Sequence, residues 1–179
     1  MTDHPEQADF DADVLLPAIS PHVLAAVDAA ARGNVAGISG AWCAIILLGE
    51  RAIFMALTAL GDMAVVGVKI PEGALGPMPV IVRSDTGEPV DPDAPEHAAA
   101  AFAGRFCAAA ATKDRALQRD LLVALVEPAV QDEPDPAFEE RVADAFTMIA
   151  QCAAEGVERE RVRRRRNHQH PRAPRRSHH

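Results

Sequence analysis

Alanine is the residue that most constrains this chain, because it accounts for 36 of the 179 residues. It is the strongest helix former, since it loses no side-chain entropy when a helix forms. Large aromatic anchors are scarce, with one tryptophan, six phenylalanines and no tyrosine. Helices with small side chains pack with their axes close together. The sequence therefore predicts an all-α fold, a single bundle of five to seven helices.

Capping residues and glycines divide the chain into six predicted helices. Ser20-Pro21 is a typical helix start, because serine accepts from free N–H groups and proline suits the first helical position. Glycine is the usual residue just beyond a helix end, so Gly33, Gly61 and Gly156 are predicted stops. The predicted helices are 20–32, 35–48, 51–60, 93–111, 115–126 and 136–155, the fourth starting at the capping box formed by 93–96.

The fifth and sixth predicted helices are amphipathic. In the sixth, apolar residues recur at steps of three and four, which is typical of a helix packed on a core. In the fifth, four leucines are predicted to face the core, and Arg115, Gln118 and Arg119 are predicted to face solvent. The four leucines are Leu117, Leu121, Leu122 and Leu125.

Residues 63–83 leave two alternatives open. Two β-branched runs, 63–70 and 78–83, flank a segment rich in glycine and proline, which allows a short β-hairpin. Alternatively, the third helix continues to Val68.

An internal repeat is a second open question. Residues 29–36 resemble residues 109–116, and in both an alanine-rich helix breaks at a short polar turn capped by Asn34 or Asp114. Ala44 and Ala124 continue the match at the same spacing. The bundle is then either one irregular set of helices or two related three-helix units.

Charge is distributed very unevenly along the chain. Residues 1–13 hold five acids and are predicted to be a flexible acidic N-terminus, followed by a helical domain over 14–158. Residues 1–158 hold nine Lys/Arg and 25 Asp/Glu, a net charge of −16, whereas 159–179 hold nine arginines and one glutamate, a net charge of +8. A strongly charged segment with little apolar content cannot form a core, so 159–179 are predicted to be a disordered tail.

The arginines of this tail are the candidate functional residues for nucleic-acid binding. Clustered arginines neutralise phosphates in a sequence-independent, salt-sensitive way. The tail holds no aromatic residue that would stack on bases, so any binding is expected to be non-specific. The candidate contacts are Arg159, Arg161, Arg163, Arg164, Arg165, Arg166, Arg172, Arg175 and Arg176.

No sequence pattern points to catalysis, to a cofactor or to a metal site. Nucleophile elbows, phosphate-binding loops, dinucleotide fingerprints and zinc motifs are absent from the sequence. Cys43, Cys107 and Cys152 are widely spaced and are expected to be small core residues in a reducing compartment. The uncharged stretch 35–49 is shorter than the roughly 20 residues that span a bilayer. We therefore expect a cytoplasmic protein without a membrane segment, and the excess of arginine over lysine suggests a bacterial source.

The leading functional hypothesis is a non-enzymatic helical interaction or regulatory protein. Residues 36–60 are more uniformly apolar than is usual for helices half-exposed on a small monomer, so another chain is expected to cover part of them. The partner is either another protein or a second copy, giving a homo-oligomer. The alternative is a nucleic-acid-associated protein that binds through its basic tail.

Overall fold

The computed structural model describes residues 12–69, 91, 94, 97–126 and 138–169. Within them the chain forms six helices and no strand, which confirms the all-α prediction. The helices are α1 (Ala12–Ala31), α2 (Val35–Ile46), α3 (Glu50–Ala64), α4 (Ala98–Thr112), α5 (Arg115–Val126) and α6 (Phe138–Gln169).

The first part of α6 is the centre of the bundle. It packs against every other helix, and its most extensive contact is with α3. The core around it is built from alanines and a few large side chains, including Phe106, Phe146 and Ile149, all at most 1% exposed. The Trp42 ring on α2 lies 4.6 Å from the Phe146 ring, centroid to centroid. Small side chains bring the helices close together, and the few large ones fill the space between them.

The turns between α1 and α2 and between α4 and α5 have the same hydrogen bonds. Asn34 N–H donates to the Ala29 carbonyl at 2.9 Å, and Asp114 N–H donates to the Ala109 carbonyl at 2.9 Å. In each turn the residue before the cap has a left-handed backbone, with φ of +65° at Gly33 and +60° at Lys113. Both turns therefore end one helix with a Schellman-type motif and begin the next.

The side chains at these caps also correspond. The Asn34 Oδ1 atom accepts from the N–H of Gly37 at 3.0 Å, and the Asp114 Oδ1 atom accepts from the N–H of Leu117 at 2.9 Å. The helix contacts correspond as well. Helix α1 packs against α3, two helices later in the chain, and against α6, and α4 packs in the same way against α6, two helices later, and against α3. These equivalences agree with the hypothesis of two related three-helix units, α1–α3 and α4–α6.

The start predicted for the first helix is wrong, and so is the upper bound of the flexible N-terminus, because α1 begins at Ala12. Pro17 and Pro21 lie inside the helix and are exposed. Each removes one backbone N–H donor from the helix. Ser20 does not cap the helix. Its hydroxyl instead donates to the Leu16 carbonyl at 2.6 Å.

Two of the glycines predicted to end helices lie inside helices. Gly61 is buried in α3, where an added Cβ would lie 3.1 Å from the Phe106 ring and 3.2 Å from the Gln118 amide nitrogen. Gly156 is buried in α6 against the carbonyls of Met63 and Ala64. At both positions the missing side chain lets two helices approach closely, which is a different use of glycine from a helix stop.

Leu121, Leu122 and Leu125 of α5 pack in the core as predicted. Gln118 and Leu117 do not follow the prediction. Gln118 is completely buried, whereas Leu117 is 44% exposed. The Gln118 carbonyl oxygen accepts from Arg115 at 2.6 Å, and Arg115 also pairs with Asp62 on α3 at 2.7 Å. The amide nitrogen of Gln118 has no hydrogen-bond partner among the described residues. The prediction that Gln118 faces solvent is therefore wrong.

The prediction of disorder from residue 159 is also wrong for 159–169, which continue α6. The prediction for 170–179 lies outside the described residues. Of the hairpin alternative at 63–83, only the first part is described. Met63 and Ala64 end α3, and a turn follows at 65–67, so this part contains no strand. Residues 70–83 lie outside the described residues.

One helix in the described ranges is long and apolar enough to cross a membrane by length and composition, the segment Val14–Ala31 of α1. In the fold, 28% of that segment is buried, and its buried side packs against α2, α3 and α6. Core helices of soluble proteins and signal sequences meet the same criterion. The predicted start at Ser20 made this helix too short to be noticed in the sequence.

Candidate interaction surfaces

The outward side of α2 is an uncharged surface. Its exposed residues span an arc of about 140° at 100° per residue, and the buried residues occupy the opposite side. We call these seven residues the α2 face. They are Val35, Ala36, Ser39, Gly40, Cys43, Ile46 and Leu47.

The α2 face is most apolar at its two ends. Val35 at the start is 60% exposed, and Leu47, just beyond the end of the helix, is 86% exposed. Ile46 and Leu48 on either side of Leu47 are 44% and 38% exposed, respectively. Gly49 follows with φ of +94°, a backbone conformation that lets the chain reverse into α3 at no steric cost. Three consecutive apolar side chains are thus presented to solvent at one end of the bundle.

The middle of the α2 face is flat. Gly40 has nothing within 4 Å of the position its Cβ would take, so this glycine is not needed for packing inside the bundle. Gly37, less than one turn earlier, is different, because an added Cβ would lie 2.8 Å from the Ala29 Cβ of α1. Gly37 therefore serves the α1–α2 contact, whereas Gly40 leaves a shallow surface facing outward.

The second candidate surface is the arginine-rich end of α6, residues 159–169. It is tied to the bundle at its base, where the Arg159 guanidinium donates to the Ala64 carbonyl at the end of α3. A cation at a helix C-terminus is favourable, because the last carbonyls lack intrahelical donors. One of the predicted nucleic-acid contacts therefore has a structural role.

Glu160 organises the next turn of this helix. Its carboxylate accepts from the Nε atoms of Arg163 and Arg164, each at 2.7 Å. The hydrogen bond from Arg163, with a smaller effect of the one from Arg164, lowers the pKa of the Glu160 carboxyl from 4.5 to about 2. The same pair raises the pKa of Arg163. Arg161 pairs more loosely with Glu158, at 3.5 Å.

Beyond Glu160 the helix is fully solvated, since residues 161–168 are all exposed. Arg165 and Arg166 make no ion pair with any described residue. The structure brings six of the predicted arginines onto this one helical segment. Arg172, Arg175 and Arg176 lie outside the described residues.

Two of the three cysteines lie on helices that pack against each other, Cys107 on α4 and Cys152 on α6, and both are half-buried. Interaction with Cys152 and burial raise the pKa of the Cys107 thiol. Cys43 lies on the α2 face and is exposed. The prediction that all three are buried core residues is therefore wrong.

Two further features of the described residues concern sites for a metal ion or a small molecule. The described residues contain no group of three or more His, Cys, Asp or Glu side chains that would hold a metal ion. A groove of about 900 Å³ lies between α1 and α6, with an apolar floor that includes Val27, Met63 and Val157. Its rim is charged, and Asp28, Glu158 and Arg161 belong to it.

Comparisons of the chain with protein-family models, with curated proteins and with solved structures give no significant match.

Proposed function

We propose that this chain is a helical interaction protein that pairs with a second copy of itself through the α2 face. The observation that carries the proposal is an exposed helix surface without a single charge, ending in the 86% exposed Leu47. Large exposed apolar side chains grouped on one surface are typical of protein–protein contacts. Covering Leu47 and its neighbours removes apolar area from water, which favours association.

A second copy is the occupant that charge favours. In a twofold symmetric contact each surface meets itself, so a surface that carries like charges repels its own copy. Residues 1–158 have a net charge of −16, and most of the acidic body is unsuited to such pairing. The α2 face avoids this repulsion because it is neutral. Gly40 and Ser39 at its centre would let two such helices approach closely.

The experiment measures the mass of the full chain in solution by sedimentation equilibrium over a range of concentrations. We expect the wild type to shift from 19.0 kDa towards twice that mass as concentration rises. Gly40→Glu places a carboxylate at the centre of the α2 face, where the single chain has open space for it. It should weaken the dimer roughly 100-fold, because two unpaired charges would be desolvated against each other.

Val123→Glu is the matched control. Val123 is 51% exposed on α5, so the same charge is added at a site away from the α2 face. This variant should associate like the wild type. A wild type that keeps the mass of one chain at all concentrations would contradict the proposal, and so would a Gly40→Glu variant that dimerises normally.

The arginine-rich end of α6 supports a second candidate function, sequence-independent association with nucleic acid. The specific observation is that residues 161–168 form an exposed helix, which holds several cations at fixed spacing. Helical order means that less conformational entropy is lost on binding than with a flexible tail. Within this segment, Arg165 and Arg166 form no ion pair with a described carboxylate.

The test replaces four arginines by glutamine, R163Q, R164Q, R165Q and R166Q together. Arg159 is kept because it contacts the end of α3. Fluorescence anisotropy with duplex DNA should show wild-type affinity that falls steeply with salt concentration, and a smaller salt dependence for the variant. Equal binding by both proteins, or no binding by the wild type at low salt, would exclude this function.

A further inference from the structure

Helix α5 is the least firmly held element of the bundle. Within the described residues it shares less contact with the other helices than any of them does, and most of that contact is with α4, its neighbour in the chain. Among its side chains at 115–125, only Gln118 and Leu122 are buried, while Leu121 and Leu125 are half-buried. Segments with few buried apolar contacts open locally at a smaller free-energy cost than the core of the same protein.

One of the two buried side chains fits its surroundings poorly. Gln118 is completely buried and its carbonyl oxygen accepts from Arg115 at 2.6 Å, but its amide nitrogen has no hydrogen-bond partner among the described residues. That nitrogen lies 3.2 Å from the position that a Cβ of Gly61 would take, and the Phe106 ring lies 3.1 Å from the same position. A buried N–H group without a partner destabilises the packed state, and it regains water when the helix detaches.

The polar link between α5 and α3 is an ion pair at the surface. Arg115 Nη2 donates to Asp62 Oδ2 at 2.7 Å, and the two side chains are 48% and 47% exposed. Ion pairs that are this accessible to water contribute little to stability. The docking of α5 on the bundle therefore depends mainly on Leu122 and the half-buried leucines beside it.

We infer that α5 is a displaceable helix. It detaches while the other five helices stay folded, and its place then accepts an amphipathic helix of a partner protein that carries leucine where α5 carries Gln118. Such helices dock in apolar grooves through side chains at steps of three and four, and Gln118 and Leu122 are four residues apart. Leucine has no polar atom to leave unpaired beside Gly61 and Phe106, so that helix fits the site better than α5 does. The inference does not depend on the function proposed for the α2 face.

Hydrogen exchange of the full-length chain, followed by mass spectrometry, tests the detachment. We expect the hydrogen-bonded amides of α5 to exchange about 100-fold or more faster than those of the buried part of α6, because α5 opens without global unfolding. Asp114→Ala removes the side-chain cap of α5 and should speed this exchange about fivefold. Asn34→Ala removes the equivalent cap of α2 and should leave it unchanged, because α2 stays folded when α5 detaches. Exchange in α5 that matches α6, or that responds to Asn34→Ala, would overturn the inference.

The occupant is tested with a labelled synthetic peptide of the α5 sequence, residues 113–126, that carries Gln118→Leu. Short helices are marginal in water, so a hydrocarbon staple joins the exposed positions of Arg119 and Val123. In fluorescence anisotropy with the full-length chain, this peptide should bind about 10-fold more tightly than the same stapled peptide with Gln118, since the unpaired amide is removed.

The two cap variants serve as matched chains for this binding. Asp114→Ala should bind the leucine peptide about fivefold more tightly than the wild type, because its own α5 vacates the site more readily. Asn34→Ala should bind it like the wild type. Equal binding of the two peptides, or no binding of either, would exclude the proposed occupant. An affinity that does not respond to Asp114→Ala would show that the peptide binds elsewhere and would exclude it too.

Discussion

Glycine has two different roles inside the helices of this bundle, and they are distinguished by what an added Cβ atom would contact. At Gly156 it would overlap the Met63 carbonyl oxygen, and at Gly40 it would contact nothing within 4 Å. Backbone oxygens cannot move aside like the end of a side chain, so the α3–α6 contact depends on a bare backbone at Gly156. The exposed glycine only weakens its own helix.

Opposite effects on stability are therefore expected from two alanine substitutions. Gly156→Ala should lower the free energy of unfolding by about 2 kcal/mol or more through overpacking. Gly40→Ala should raise it by about 1 kcal/mol, which is the difference in helix propensity. Urea unfolding at low protein concentration measures both. A neutral effect at Gly156 would contradict the close contact between α3 and α6.

Glu160 should stay ionised to unusually low pH. Its pKa in the folded chain is about 2, below the ordinary value of 4.5. A depressed carboxyl pKa gives stability that is present above pH 4.5 and is lost as the pH falls through about 2. A carbon NMR titration of the Glu160 carboxyl should give a midpoint near 2.

The control for this titration is the double variant R163Q/R164Q, which removes both donors. Its Glu160 midpoint should return towards 4.5. A wild-type midpoint already near the ordinary value would show that the two arginines do not hold the carboxylate in solution.

At the scale of elements, the two equivalent turns are the features that divide the helices. Asn34→Ala and Asp114→Ala each remove a side-chain acceptor from a helix start, so each should cost about 1 kcal/mol of stability. The caps lie in separate three-helix units, and the double variant should lose the sum of the two effects to within about 0.5 kcal/mol.

Chemical denaturation of the single and double variants measures these losses. Asp120→Ala is a suitable control, because Asp120 is exposed within α5, lies outside the α2 face and does not cap a helix. A loss confined to one cap would contradict the equivalence of the two turns.

Element positions were predictable where a local signal acts alone. Asn34 and Asp114 set the starts of α2 and α5, because a short polar side chain caps a helix irrespective of its surroundings. The helix ends predicted at Gly61 and Gly156 were wrong, because glycine also occurs where two helices pack closely. A single sequence does not distinguish this use of glycine from a helix stop. The burial of Gln118 on α5 was missed because its side chain has a hydrogen-bond partner on its own helix, Arg115.

The candidate surfaces were predictable only in part. The arginine cluster is visible in the sequence because charge is a property of composition, but its helical order from 159 to 169 comes from continuation of a helix already held by the core. The uncharged stretch containing α2 was also visible. Its outward side required the structure, since packing against α1 and α6 decides which residues are covered.

At the scale of the whole molecule, the single tryptophan reports on the joining of the two three-helix units. Trp42 belongs to the first unit and packs on Phe146 of the second. Because α3 and α6 share the largest contact, the two units should unfold together. Tryptophan fluorescence and far-ultraviolet circular dichroism should therefore give the same midpoint in urea. A fluorescence change well before the loss of helix would indicate that the units separate first.

The length of α6 has a mechanical consequence. From Arg159, its last contact with the α3 terminus, to Gln169 the helix advances about 15 Å at 1.5 Å per residue. The arginines of 159–169 thus place positive charge on a helix that extends away from the negatively charged rest of the chain. An anionic surface close to this segment would exert a torque on the whole protein, because the segment and the core share one continuous helix. Such a surface would therefore be expected to orient the bundle as well as attract it.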